Sequence, residues 1–179
     1  RVWDRTTATR IRGPAAGAAA PVPGALSRWG SGPILSTVFW NSLERHRDLG
    51  LLILRLGFGL GFFWFHGLPK LTADPERWER TGRAIASFGI DFAPAAWGLA
   101  AGIAEGVGGI LFALGLFFRP AALAMLAVMI VAATNHFVTG QGTPAHAFKN
   151  AWVLAGLFLI GPGRYSLDYL LAGRRRGGR

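Results

Sequence analysis

Four long apolar runs constrain what this chain can fold into. Between Leu49 and Leu68 the only ionisable side chains are Arg55 and His66. Between Trp97 and Phe118 there is only Glu105, and between Pro120 and Thr139 only His136. A fourth run, Ala151–Gly161, has none, and it reaches spanning length if it starts near Ala145 or Phe148. About 20 predominantly apolar residues cross the roughly 30 Å of bilayer hydrocarbon. The expected fold is therefore all-α: a polytopic membrane protein with a four-transmembrane-helix bundle, its spans at about 49–68, 97–118, 120–139 and 146–162. A soluble protein with four buried helices is the weaker alternative, because 179 residues could not cover that much apolar surface. Charged residues make up 16% of the chain, against about 25% in a soluble domain.

The flanks are different in kind. Residues 1–32 are rich in Ala, Gly, Pro and Arg, show no apolar period and read as a disordered basic tail. Residues 33–48 form a juxtamembrane segment, either a helix on the membrane surface or an extension of the first span. The membrane domain then covers 49–171, and a basic C-terminal tail covers 172–179. Arg45, Arg47, Arg119, Arg164, Arg174, Arg175, Arg176 and Arg179 all fall on one side of a four-span topology. The positive-inside rule assigns that side to the cytoplasm, together with both termini. The opposite loops carry Lys70, Arg77, Arg80, Arg83 and Lys149. Asp74, Glu76, Glu79 and Asp91 balance the longer of those loops, but acids count little in this rule. The net charge of +10 does not argue for nucleic acid, since basic tails beside membranes set orientation or meet lipid headgroups. With no cysteine, the chain has no disulfides, thiol catalysis, thiolate metal ligands or CxxC redox chemistry.

The loop between the first two spans predicts a helix at the outer surface, with Asp74 as N-cap, Pro75 as first residue and Glu76 in the first turn. Trp78, Ala84, Ile85 and Phe88 share one side of it. Gly67 and Pro69 are expected to end span 1, and Pro120 to open span 3, where its missing N–H costs nothing.

Ionisable residues inside spans are costly and face the bundle or a watery cavity. On an ideal wheel Arg55, Gly59, Phe62, His66 and Lys70 form one stripe. Gly98, Gly102 and Gly106 make two overlapping GxxxG patterns, and Glu105 lies within about 20° of Gly98, on a helix-packing face. Gly57 and Gly61 offer a second small-residue face on span 1. At about 1.5 Å per residue, His66, Glu105 and His136 lie roughly 26, 21 and 24 Å from the cytoplasmic end, and Arg55 roughly 9 Å. His66, Glu105 and His136 are thus the candidate catalytic residues. Arg55, Trp64, His66, Lys70, Glu105 and His136 are the candidates for binding a ligand, such as a flat ring, within the membrane. Each has a plainer alternative. Arg55 snorkels to headgroups or bonds inward, Glu105 is a protonated structural group, the histidines are interfacial caps, and Trp64, Trp97, Trp152 and Tyr165 form an aromatic belt. No metal site is expected, since two histidines and a carboxylate without close spacing are a weak ligand signal.

"LLILRLGFGLGFFWFHGLPKL" resembles the first-span signature of the DoxX family, and "AEGVGGILFALGLFFRPAALAMLAVMIVA" its second. The similarity runs over roughly residues 49–171 and carries Arg55, His66, Gly67, Pro69, Lys70, Glu105, Gly108, Gly109, Arg119 and Pro120. It implies a small bacterial inner (plasma) membrane protein, related to a subunit of a thiosulfate:quinone oxidoreductase and partnered with membrane redox subunits. No sulfur-handling residue supports thiosulfate chemistry by this chain alone. No haem, flavin or iron–sulfur ligand pattern is present either, so no cofactor is expected beyond a quinone. Three functions follow: a quinone-linked component of a redox system, a non-catalytic structural or assembly subunit, and a small-molecule or lipid transporter. The sequence leaves the oligomeric state open.

Overall fold

The computed structural model describes residues 46–177, the last four by backbone alone. The expected basic tail 1–32, residues 33–45 of the juxtamembrane segment and residues 178–179 lie outside the described residues. The described residues are helical and contain no strand. Helix α1 runs Arg47–Leu71 with a π-helical turn at Phe63–Gly67. Helix α2 is Pro75–Gly82, prolonged by a 3₁₀ segment Arg83–Phe88. Then come α3 Pro94–Leu114, α4 Phe118–Thr139, α5 Ala145–Ile160 and α6 Leu167–Gly177. The chain folds as a helical membrane bundle. Helices α1, α3 and α4 are long and apolar enough to cross a bilayer, and α5 is a shorter apolar helix of 16 residues. In hydrocarbon only a helix or a closed barrel satisfies its own backbone, so apolar runs of this length become helices.

Packing follows the order α1, α3, α4, α5, with α2 laid on α3. Successive spans alternate in direction, so one end of the bundle holds Arg55 and the other Lys70. Small residues decide the closest contacts. A Cβ added at Gly59 would lie 2.5 Å from the Gly109 carbonyl oxygen, and one at Gly67 would lie 2.2 Å from the Gly106 Cα. On α3, Gly98 meets the Trp78 carbonyl, Gly102 the Lys70 stem and Gly106 the Leu71 side chain, while Gly108 faces Met125 of α4. The GxxxG row therefore receives α1 and α2, as close backbone approach in a bilayer requires. The proposed second face is not used: a Cβ at Gly57 or Gly61 meets nothing within 4 Å. The remaining core is apolar, with Phe112, Phe118, Met125 and Leu154 fully buried and the two phenylalanines stacked at 4.5 Å. Outward-facing residues such as Phe65 and Leu159, 73% and 75% exposed, give the bundle its lipid-facing surface.

Several boundaries differ from the sequence expectation. Gly67 and Pro69 do not end span 1. The wider π turn, in which the Leu68 N–H reaches the Phe63 carbonyl, carries the helix past Pro69 to Leu71. A proline inside an α-helix lacks the N–H and clashes with the carbonyl four residues back, and an opened turn relieves both. Helix α3 stops at Leu114, before the expected 118, because Gly115 takes the left-handed conformation at φ 66°. Helix α4 begins at Phe118, so Pro120 sits in its first turn without opening it. Asp74 caps α2 as expected, accepting from the Arg77 N–H at 2.7 Å. That helix does more than lie on the surface. Gly82 abuts the Pro94 carbonyl, and Ser87 hydrogen-bonds Asn135 of α4 at 3.3 Å. The expected C-terminal tail is helical through Gly177.

Candidate functional site

The Lys70 end holds an ion pair inside the bundle. The Lys70 ammonium donates to Glu105 Oε2. The Glu105 side chain is fully buried and that of Lys70 is 22% exposed. Three local choices place the lysine there. The π turn rotates the last turn of α1, Gly102 leaves room for the Lys70 stem, which a Cβ added there would meet at 3.1 Å, and the Trp78 indole donates to the Lys70 carbonyl at 2.6 Å. Only one carboxylate oxygen is used. Glu105 Oε1 is buried with no partner among the described residues. An unpartnered buried acceptor is costly and marks a position worth explaining.

His66, inside the π turn, stands within electrostatic reach of Glu105, Lys70 and His146. Its ring lies 5.2 Å from the Phe62 ring on one side and 5.2 Å from the His146 ring on the other. His66 is half-buried and His146 is exposed, so titratable groups step from the surface toward the buried carboxylate. Lys70 also borders a cavity of about 310 Å³ between α3 and α4. Its walls are small and apolar, with Ala100, Ala101 and Ala104 on α3, Ala124, Ala127 and Val128 on α4, and Ile85 and Trp97 toward the rim. Among the described residues, Lys70 is the one charged side chain on that wall. Such a space takes a flat or chain-like apolar molecule and offers it one cationic donor. Among the described residues, no three His, Cys, Asp or Glu side chains stand close enough to hold a metal ion.

A family model for DoxX matches residues 50–141, from the start of α1 to just past the end of α4. The chain belongs to the DoxX family. The matched stretch contains Arg55, His66, Lys70 and Glu105, so the ion pair and the histidine beside it lie within the DoxX region of the chain. No curated protein and no solved structure matches the chain.

The other expected site residues lie elsewhere. His136 shares the depth of Glu105 but not its surroundings: its Nδ1 sits 2.6 Å from the Gln141 carbonyl, in the loop leaving its own helix. Trp64 faces outward, 62% exposed, and Trp152 does so at 66%. Arg55 does not snorkel to the headgroups. It is fully buried at the opposite end, where one Nη donates to the Tyr165 carbonyl at 2.7 Å. Its Nε and other Nη have no partner among the described residues, and the guanidinium presses on Gly115, where a Cβ would come within 1.7 Å. Asp168 supplies the nearby negative charge. Its two oxygens also accept the Phe117 and Phe118 N–H groups at 2.9 Å each, capping α4 from a separate helix. Arg119, also within the matched stretch, is exposed and donates to the Phe158 carbonyl at 3.3 Å.

Sequence reasoning missed His146 as the neighbour of His66, and it missed Ser166 and Asp168 altogether. "SLDY" at 166–169 carried a signal, since Ser followed by an acid in the first turn marks a helix start. Ser166 does cap α6, accepting from the Tyr169 N–H at 3.2 Å while it donates to the Gly163 carbonyl at 2.7 Å.

Proposed function

We propose that this DoxX protein is the membrane component of a quinone-linked redox system in a bacterial plasma membrane, with both termini cytoplasmic. The observation that carries the reading is a half-used buried carboxylate, Glu105, paired to a lysine that borders an apolar cavity. The cavity's volume of about 310 Å³ lies at the low end of the roughly 300–1,000 Å³ range of small-molecule sites. It suits a ring headgroup, with the tail left in lipid. A quinone would supply two-electron, two-proton acceptor chemistry. The protein's part is to bind and to move protons. Lys70 donates a hydrogen bond to a ring oxygen. Glu105 relays protons through its unpartnered Oε1. His146 and His66 connect that carboxylate to the surface. Electrons come from a partner oxidoreductase subunit.

A structural or assembly role is the second reading, and the buried Arg55 favours it, because its bond to Tyr165 ties α1 to the segment before α6. Purification in mild detergent, lipid extraction and chromatography of the extract separate the two. The redox reading expects a co-purifying quinone, reduced at least tenfold in Lys70→Met and retained in a conservative Glu105→Gln. Wild-type protein purified without any bound ring would overturn it.

A further inference from the structure

We propose that α6 is an interfacial helix that lies in the headgroup layer and holds anionic phospholipids at the Arg55 end of the bundle. Its depth is set by covalent neighbours and hydrogen bonds. Asp168, in its first turn, takes the Phe117 and Phe118 N–H groups at 2.9 Å, and Phe118 is the first residue of a membrane-spanning helix. The Asp168 N–H in turn reaches the Gly115 carbonyl at 2.9 Å. The start of α6 is therefore held where α3 leaves the bilayer and α4 enters it.

Its outward face is apolar. Leu167, Leu170 and Leu171 fall within an arc of about 100° on the helical wheel. They are 37%, 58% and 49% exposed, while the Asp168 side turns to the bundle. Phe117 and Tyr165, exposed beside them, continue the same surface. A helix pinned at the membrane boundary with an uncovered apolar arc continuous with the lipid-facing spans meets acyl chains.

Its charge specifies which lipid. The helical backbone continues through Arg174, Arg175 and Arg176, and Arg47, Arg119 and Arg164 are exposed at the same end. Among the described residues, Asp48 and Asp168 at this end are occupied by backbone N–H groups, Asp48 by that of Arg164 at 3.0 Å. Among the described residues, the exposed charged side chains named at this end, Arg47, Arg119 and Arg164, are all basic and stand at the same end as the apolar arc, which fits phosphate-bearing anionic headgroups.

The absence of cysteine makes the test direct. Leu170→Cys and Ala172→Cys, both at exposed positions and on opposite sides of α6, are spin-labelled and reconstituted into phosphatidylcholine vesicles with and without phosphatidylglycerol. Label at 170 is expected to be accessible to oxygen and shielded from an aqueous nickel reagent, and label at 172 the reverse. Spin-labelled phosphatidylglycerol should be immobilised several-fold more than phosphatidylcholine by the wild type, and no more than it by an Arg174→Gln, Arg175→Gln, Arg176→Gln variant. Equal aqueous access at 170 and 172 overturns the proposal. So does an unchanged lipid preference in the triple variant. Short label-to-label distances at 170 that persist on dilution with lipid also overturn it, by showing a second copy on that face. None of these readouts involves a quinone, so the proposed function stands or falls separately.

Discussion

Two kinds of glycine occupy α1, and a single methyl group tells them apart. Gly67→Ala would drive its Cβ into the Gly106 backbone at 2.2 Å, where nothing can rotate away. Overpacking of this kind costs about 1–3 kcal/mol. Gly57→Ala meets nothing within 4 Å, and replacing a mid-helix glycine gains about 0.5–1 kcal/mol. Thermal unfolding in detergent should therefore show a lower midpoint for the first variant and an unchanged or higher one for the second. The ion pair makes a sharper case. Lys70→Met strands a fully buried carboxylate, and breaking a buried pair costs about 3–5 kcal/mol, less here because Lys70 is 22% exposed. Lys70→Met combined with Glu105→Gln removes the stranded charge and should recover much of the loss. A double variant no more stable than Lys70→Met would mean that the pair is not what Lys70 contributes.

At the level of elements, the start of α4 depends on a residue some 50 positions away. Phe117 sits at φ 46°, a conformation that L-residues rarely adopt, and Asp168 holds both its N–H and that of Phe118. Losing an N-cap costs about 0.5–2 kcal/mol. Asp168→Ala is expected at the upper end, since two bonds and a neighbour of the buried Arg55 go together. Hydrogen exchange should rise at the first amides of α4 and stay unchanged at its far end near Thr139. The π turn of α1 is the second non-local element. It puts Gly67 on the buried face, which an ideal wheel does not anticipate, and the helix it prolongs carries Lys70 to Glu105.

Across the whole molecule, the segment after α5 closes the Arg55 end. Ending the chain after Gly161 removes the Tyr165 carbonyl, Ser166 and Asp168, and so uncovers a buried guanidinium and an uncapped span. Ending it after Gly173 keeps all three. Size-exclusion chromatography in detergent should give an aggregated or broadened profile for the first truncation and a single symmetric peak for the second. The membrane bundle itself was legible in the sequence, because exclusion of charge from hydrocarbon acts on each segment alone. The Asp74 cap and the GxxxG row were legible for the same reason, since both are written within one helix or its first turn. The membership of the candidate site was legible only in part. Depth along a span is one coordinate: it grouped His66 with Glu105, which stand within electrostatic reach, and it also grouped His136, which turns to its own exit loop. The sequence left Arg55 between the headgroups and the bundle; it turns inward, to a partner 110 residues away. Which polar groups meet is set by helix rotation, by a widened turn and by the order of packing. Those are properties of helices against one another, and only the tertiary structure decides them.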